Sequence, residues 1–515
     1  MPIRMVEDNP DQQDSGGSHN DNAGGGGRSP LLGCLPLILS LVFKLPKLFI
    51  PLLIIGGLGY FFISKMGSLQ SDTYDGLTKG GLMDPAKYDK VEVYEPLADN
   101  RLNTMPESYT LEKYIPKRLN QGQQGSCVAW SSAYAARTIL ESKKTNQDAN
   151  KLIFSPSFLY NSIHLEDCQG AYINEAMEEM KRNGVAPFSN MPYDETDCQT
   201  QPNTNQRQSA TPYKTRGYQR LTLGGDNQRP DLLAIKQNLA AGAPVVFGMM
   251  VGGTFMQGMM GKDIWVPTGE DYNMYQFGGH AMCLIAYDDY KYGGAFQLMN
   301  SWGEQWGNKG LAWVRYKDFD VFTKEAYGLY PLAAASTANQ NNSLAINFGL
   351  VNPATDAVIS LKKLGNDNFE TAAPVAIGTK FKVLVTNSVE CYTYVFGEET
   401  DRSSYVLFPY TSKHSPFCGI TGTRLFPKDY SMQLDNKGTK DQMAIVVSKQ
   451  PLDYKKLNAD INAAKGASYH DKLAIALGGA SIKKVTFTET NGTIGFNATL
   501  DDKTLVGIVI GISKK

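Results

Sequence analysis

Ligand sets for a metal are missing from this chain. Its seven cysteines never fall in a Cys-x-x-Cys pattern, and its five histidines are scattered, so nothing has zinc spacing. No cofactor is expected. An excess of either charge is missing too: 50 Lys and Arg stand against 51 Asp and Glu, a formal net charge of −1. That balance lacks the basic footprint of a nucleic-acid binder. Residues 1–30 have almost nothing to bury, being rich in Asp, Asn, Gln, Ser and Gly, with four consecutive glycines at 24–27. They read as a disordered acidic, glycine-rich tail.

Long apolar runs are rare, and the exception is residues 31–66. Lys44 and Lys47 split it into Leu31–Phe43 and Leu48–Ser64. As a helix the second part is about 25 Å long, just short of the hydrocarbon core, so flanking residues would complete the span. A cleaved signal peptide would not carry so long an acidic leader. Leu31-Leu32-Gly33-Cys34 places its cysteine before the apolar stretch, which excludes a lipoprotein cleavage box. The reading is one N-terminal transmembrane helix serving as membrane anchor. Arg28, Lys44 and Lys47 on one side, against Lys65 and Lys79 on the other, keep the N-terminus cytoplasmic and export everything after Met66. Residues 67–105 are polar, broken by Gly80-Gly81, Pro85 and Pro96, and read as a stalk.

Chemistry concentrates at Asn120–Ser132, NQGQQGSCVAWSS. Ala129, Ala133, Ala136 and Leu140 fall at helical spacing. Ser126 stands at the N-cap, with Cys127 in the first turn, where free backbone N–H groups and the helix dipole favour thiolate. A buried structural cysteine is the competing reading. Further on, Gly278-Gly279-His280-Ala281 opens the apolar strand Met282–Ala286, and Gln297–Met299 leads into Asn300-Ser301-Trp302-Gly303.

The order Gln121, Cys127, His280, Asn300, with Trp306 following the NSWG sequence, resembles the papain-like cysteine peptidases over roughly Pro106–Pro331. The resemblance implies an α+β, two-lobed catalytic domain over 106–331, a helical half carrying Cys127 and a β half carrying His280 and Asn300. It implies that Cys127 attacks the scissile carbonyl of a protein or peptide substrate and that His280 holds it as a thiolate–imidazolium pair. Asn300 would orient the His280 ring, and Gln121 with the Cys127 N–H would form the oxyanion hole. Gly170 and Ala171 match the family's substrate-holding loop, with alanine in place of its second glycine. Gly279, Trp302 and Trp306 complete the implied substrate-binding set, Trp302 shielding the His280–Asn300 contact from water. Two departures stand out: Gln124 replaces a cysteine of the family signature, and Val128 replaces an aromatic.

Relatives of this kind are commonly made with a sizeable inhibitory pro-domain, whereas residues 65–105 are too short for a core and show no helical periodicity. The intact chain is therefore expected to be active. The rival idea is that Tyr88–Pro96 lies in the groove as a plug.

Around these motifs, Ser155-Pro156 starts a helix, Ile173–Arg182 is an amphipathic helix, and Asp231–Ala241 is a helix stopped by Gly242 before the strand Pro244–Met250. Phe255, Met256, Met259 and Met260 are either an adaptable apolar lip or core.

After a linker at 332–343 the pattern changes to short strands: Phe381–Val385, Tyr392–Phe396, Tyr405–Phe408, Met443–Val447 and Leu505–Ile512. Asn491-Gly492 marks a hairpin, and Leu457–Ala464 and Tyr469–Leu477 read as helices. Residues 344–515 are expected to be a β-rich, sandwich-like accessory domain with an unknown ligand of its own. They resemble, weakly, the β domains appended to bacterial cysteine peptidases, which implies a bacterial protein; with the anchor and the charges flanking it, the expectation is an inner-membrane protein with its catalytic domain on the periplasmic or extracellular side. Cys127 is assigned to chemistry, Cys34 to the membrane region and Cys283 to a strand. That leaves Cys168/Cys198 and Cys391/Cys418 as local pairs, and the resemblance tolerates a bridge at the first. The leading function is a membrane-anchored cysteine peptidase; a catalytically silent binding scaffold and an acyl transferase using the same thioester chemistry are the alternatives.

Overall fold

The helical run that begins at Cys127 is the hub of the first half of the molecule. The computed structural model describes residues 3–7, 77–99, 101–222, 229–332, 343–482, 485–500 and 503–515. Within it, Cys127–Ala129 continues through a π-helical stretch, Trp130–Arg137, into the α-helix Thr138–Thr145. Small residues at 129, 133 and 136, all buried, let the neighbouring elements close in on this run. The helix Pro156–Ile163 starts where Ser155 accepts a hydrogen bond from the Phe158 N–H. Ile173–Arg182 buries Ile173, Ala176, Met177 and Met180 on one face, as the 3.6-residue period requires.

Against these helices stands a sheet ordered Tyr218–Arg220, Thr323–Leu329, Val245–Val251, Gly278–Asp288, Ala295–Met299, Leu311–Arg315, Ile264–Trp265, with Ser108–Thr110 also paired to Gly278–Asp288. Strand Gly278–Asp288 is central and buried nearly throughout, which fixes His280 deep in the domain. The helix Leu232–Ala240 is capped by Asp231 and leads through Gly242, with φ +87°, into Val245–Val251. Phe255, Met256 and Met259 are buried and belong to the core, while Met260 is exposed.

The second half is a sandwich. One sheet runs Ile3–Glu7, Tyr430–Leu434, Lys380–Asn387, Ser343–Val351, Thr493–Thr499, Phe487–Thr490. The other runs Leu361–Lys363, Asn368–Thr371, Leu505–Ser513, Lys440–Ser448, Cys391–Glu398, Ser404–Phe408. Alternate residues such as Phe348, Val383, Ile445 and Ile508 fill the space between them. The helices Tyr454–Ala463 and Tyr469–Leu477 cover the outer face of the second sheet through Leu457, Ile461, Leu473 and Leu477. Asn491 and Gly492 both have positive φ, as a two-residue hairpin turn demands.

Two expectations need correction. Ile3–Glu7, placed by composition in a disordered tail, pairs in register with Tyr430–Leu434, and Ile3 sits in the sandwich core at 1% exposure. Pairing of a sheet edge and burial of one isoleucine outweigh the polar composition that follows. Residues 77–105 are not a stalk. Tyr88 is fully buried and Val93–Tyr94 pairs with His414–Ser415 of the sandwich. Asn103 donates to the carbonyls of Ala98 and Thr423. The membrane segment 31–66 lies outside the described residues; no helix among the described residues is long and apolar enough to cross a membrane.

Candidate active site

Cys127, His280, Asn300 and Gln121 come together between the two halves of the first domain, and all four are buried. Asn300 follows the strand Ala295–Met299 directly, and His280 is the third residue of the neighbouring strand. The two side chains meet at 2.8 Å between His280 Nε2 and Asn300 Oδ1. The Ser301 N–H also donates to Asn300 Oδ1, at 2.7 Å. An acceptor used twice identifies the oxygen, so His280 carries its proton on Nε2 and presents Nδ1 as the basic nitrogen. Nδ1 has no hydrogen-bond partner. Trp302 stacks on the imidazole with ring centroids 4.3 Å apart and planes 21° apart.

Gln121 is aimed by two contacts. Its backbone N–H donates to Ser301 O, and Ser301 Oγ donates to its Oε1 at 2.6 Å. Its Nε2 therefore faces the cleft, reaching the Thr78 carbonyl at 3.1 Å and the Gln124 carbonyl at 2.9 Å. Tyr193 holds the same loop from outside, its hydroxyl bonded to Gln121 O and to Ser126 Oγ. Ser126 makes no side-chain cap to the helix behind it, contrary to the expectation from sequence; its hydroxyl is spent on Tyr193 instead.

The cleft is occupied by the chain itself. A strap at residues 78–83 crosses it. The Thr78 carbonyl accepts from both Gln121 Nε2 and Trp302 Nε1. Gly81–Leu82 pairs in parallel with Ala171–Tyr172, and the Ala171 N–H donates to Gly80 O at 3.1 Å. A β-carbon at Gly80 would overlap the Gly125 carbonyl, and one at Gly279 would overlap Gly81 O. Backbone approaches backbone here as only glycine permits. The Met83 methyl lies close to both Gly279 and Gly248. Of the substrate-binding candidates, Gly170, Ala171, Gly279 and Trp302 thus touch the strap. Trp306 does not join them. It is fully buried and spends its indole N–H on Phe255 O, so the structure corrects its placement from groove to core.

Covered in this way, the thiol and the imidazole are both shifted toward their neutral forms. Burial pushes the Cys127 thiol up to about 11, against hydrogen bonds that pull it down, including the Ala281 N–H at 3.5 Å. Burial pulls His280 down to about 4, opposed by the Asn300 contact. In this covered conformation burial works against the thiolate–imidazolium pair that the resemblance implies.

Sequence reasoning missed the strap, the Ser301 contact and the Tyr193 brace. Only the Gly80-Gly81 pair offered a signal, and it was read as a chain breaker. The expected Cys168–Cys198 bridge is present, closing a loop of sequence separation 30, while Cys283, Cys391 and Cys418 are free and buried. Among the described residues no group of His, Cys, Asp and Glu could hold a metal ion.

Residues 105–329 match the family described as papain family cysteine protease, and 375–451 match a domain of unknown function, DUF4384. An uncharacterized peptidase C1-like protein of Acanthamoeba polyphaga mimivirus is 28% identical over 250 residues, 47% of this chain and 71% of the relative. Cathepsin K of Mus musculus is 26% identical over 255 residues, 48% of this chain and 71% of the relative. Among solved structures, xylellain, a cysteine protease from Xylella fastidiosa, is 22% identical with a TM-score of 0.41, covering 49% of this chain and 96% of that one.

Proposed function

We propose that this chain, whose residues 105–329 belong to the papain family of cysteine proteases, hydrolyses peptide bonds with Cys127 as nucleophile and His280 as its proton partner. The observation that carries the assignment is the convergence of Cys127 with a histidine fixed in one tautomer by Asn300 and a glutamine amide fixed by Ser301. With the strap displaced, His280 Nδ1 takes the thiol proton as Cys127 Sγ bonds to the scissile carbonyl carbon. The negative oxygen is received by Gln121 Nε2 and the Cys127 N–H, a donor of this kind being worth about 3 kcal/mol. Collapse breaks the C–N bond, and the amine leaves with the proton held by His280. Water then attacks the thioester, His280 taking its proton and returning it to sulfur. Trp302 keeps solvent off the His280–Asn300 bond.

In the described conformation Thr78 O takes the Gln121 donor and Gly80-Gly81 lies beside Cys127 and His280. The chain is held inactive until this segment leaves, which replaces the expectation that the intact chain is active. The plug is 78–83, not Tyr88–Pro96; that later stretch ties the strap to the sandwich.

Residues 31–66 act as a single membrane anchor, with the catalytic domain exported. The charge placement around the apolar segment supports this, and so does the Cys168–Cys198 bridge, which suits an oxidising compartment. Mass spectrometry of products from a peptide library, with strap-cleaved wild type against Cys127→Ala, tests the chemistry. Label from isotopic water at the new C-termini is expected; capture of the acyl group by an added amine without label would make the chain a transferase, and identical products from Cys127→Ala would sink the assignment. Protease protection of the catalytic domain in sealed, inverted inner-membrane vesicles tests the topology, and loss of the domain on external digestion would reverse it.

A further inference from the structure

A cavity of about 520 Å³ opens where three parts of the chain meet: residues 89–97, the start of helix Leu232–Ala240 with strand Tyr218–Arg220, and the loops around Tyr410 and Lys428 of the sandwich. Its size is that of a small-molecule site. Its floor holds Glu95, 5% exposed, with one carboxylate oxygen lacking any partner. Beside it the buried Tyr410 hydroxyl faces the same carboxyl and leaves its own oxygen lone pairs toward the cavity. Leaving the remaining carboxylate oxygen unmet is costly.

The basic side chains of the lining are mostly committed elsewhere: the charge of Lys428 reaches Glu95 and its backbone N–H bonds the carboxyl, while Lys413 and His414 lie on the sandwich side of the lining, His414 against Thr411. Arg220 donates to Thr222, Asp89 and the Tyr88 carbonyl. Arg424 gives its three nitrogens to Glu95 O, Asn387 Oδ1 and Ile420 O. Lys428 is paired with Asp231 at 2.9 Å. What remains is acceptor capacity, on Glu95 and on Asp429 at the exposed mouth, whose charge is felt at Glu95. The wall between them is apolar, from Val93, Leu97, Leu221 and Ile420.

We propose that this cavity binds a small organic ammonium ion with an apolar body, its N–H groups donating to Glu95 and Tyr410 and its charge facing Asp429. The apolar body takes the wall, and the cation restores the ionised form of a carboxyl that burial otherwise keeps protonated. This site is separate from the catalytic cleft and stands whether or not Cys127 is the nucleophile.

Titration calorimetry on the full chain with phenethylamine, phenethyl alcohol and hydrocinnamate tests it. The amine is expected to bind, with the isosteric alcohol and the carboxylate at least tenfold weaker. Glu95→Gln should weaken the amine by roughly ten- to a hundredfold. Should that buried variant fail to fold, Tyr410→Phe and the exposed Asp429→Asn should each weaken the amine severalfold with unchanged thermal unfolding. A peptide with a free N-terminus binding where its acetylated form does not would identify the ammonium source as polypeptide. Absence of amine binding, an alcohol that binds as tightly, or amine affinity unmoved in the folded variants overturns the proposal.

Discussion

Substituting Gly80 by alanine should switch the intact chain from closed to open. Besides the parallel pairing of Gly81–Leu82 with Ala171–Tyr172, three hydrogen bonds fasten the strap in the cleft: Ala171 N–H to Gly80 O at 3.1 Å, and Gln121 Nε2 and Trp302 Nε1 to Thr78 O at 3.1 and 2.9 Å. At about 1 kcal/mol net for each, the fastening is worth about 3 kcal/mol, which leaves the cleft open in roughly one molecule of a hundred or more. A β-carbon on Gly80 overlaps the Gly125 carbonyl, which is backbone and cannot rotate aside. Relief requires the strap to lift, and lifting it forfeits all three bonds.

An active-site-directed epoxide, followed by intact mass spectrometry of the full chain, reads the open fraction directly, since only an uncovered Cys127 is alkylated. Gly80→Ala should label roughly a hundredfold faster than wild type without any cleavage of the chain, approaching the rate of strap-cleaved enzyme. Cys127→Ala supplies the blank, and an unchanged melting temperature shows that the rest of the domain is intact. Wild type labelling as fast as Gly80→Ala would refute the reasoning, because the strap would then be no barrier. Slower labelling of the variant would refute it as well.

Asn300→Ala should lower kcat/KM of the strap-cleaved enzyme about ten- to a hundredfold, the cost of leaving His280 Nε2 buried without its partner, while Asn300→Asp retains the acceptor and loses less. Acid should loosen the strap. His280 falls from 6.5 to about 4 in the closed form, so that form binds fewer protons than the open one, and its advantage is whole above pH 6.5 and is lost as pH falls toward 4. Epoxide labelling of wild type measured across that range should rise toward acid relative to Gly80→Ala; a flat ratio would show that His280 is not buried by the strap. Replacing Cys168 and Cys198 by serine should lower unfolding stability by about 3.5 kcal/mol in denaturant titrations, from the loop the bridge closes. Cys391 and Cys418 are register partners on adjacent strands with both thiols free and buried, so mild oxidation should join them, seen as loss of their hydrogens by intact mass.

The candidate site was legible because its signals are local in sequence. Asn300 ends a short apolar strand, His280 begins a buried one, and Cys127 opens a helix, so period and flanking glycines mark each element separately. The sandwich was legible for the same reason, short apolar runs such as Phe381–Val385 and Met443–Val447 marking buried strands, the latter covered on both faces because helices pack on its outer side. Residues 77–105 carry no such period. Their order comes from partners hundreds of residues away: Val93 N–H on Lys413 O, Ala98 N–H on Thr423 O, Arg424 on Glu95 O. An extended segment satisfied by distant backbone needs neither helix nor strand pattern of its own, and its glycines read equally well as flexible breaks or as points of closest approach.

That dependence on distant partners has a mechanical meaning. Residues 78–83 bond to the catalytic domain, and the chain that follows them is fastened to both domains, with Tyr88 buried against Tyr327 and Val93–Tyr94 paired to the sandwich. A free segment of this length could not hold itself across a cleft, since ordering each of its residues costs about 1–2 kcal/mol of backbone entropy. Fixing Tyr88 on the catalytic domain and Val93–Tyr94, Ala98 and Asn103 on the sandwich brings Thr78 and Gly80 to the cleft at high effective concentration. The sandwich thereby does for the strap what a folded pro-domain would otherwise have to do, although it lies at the opposite end of the sequence.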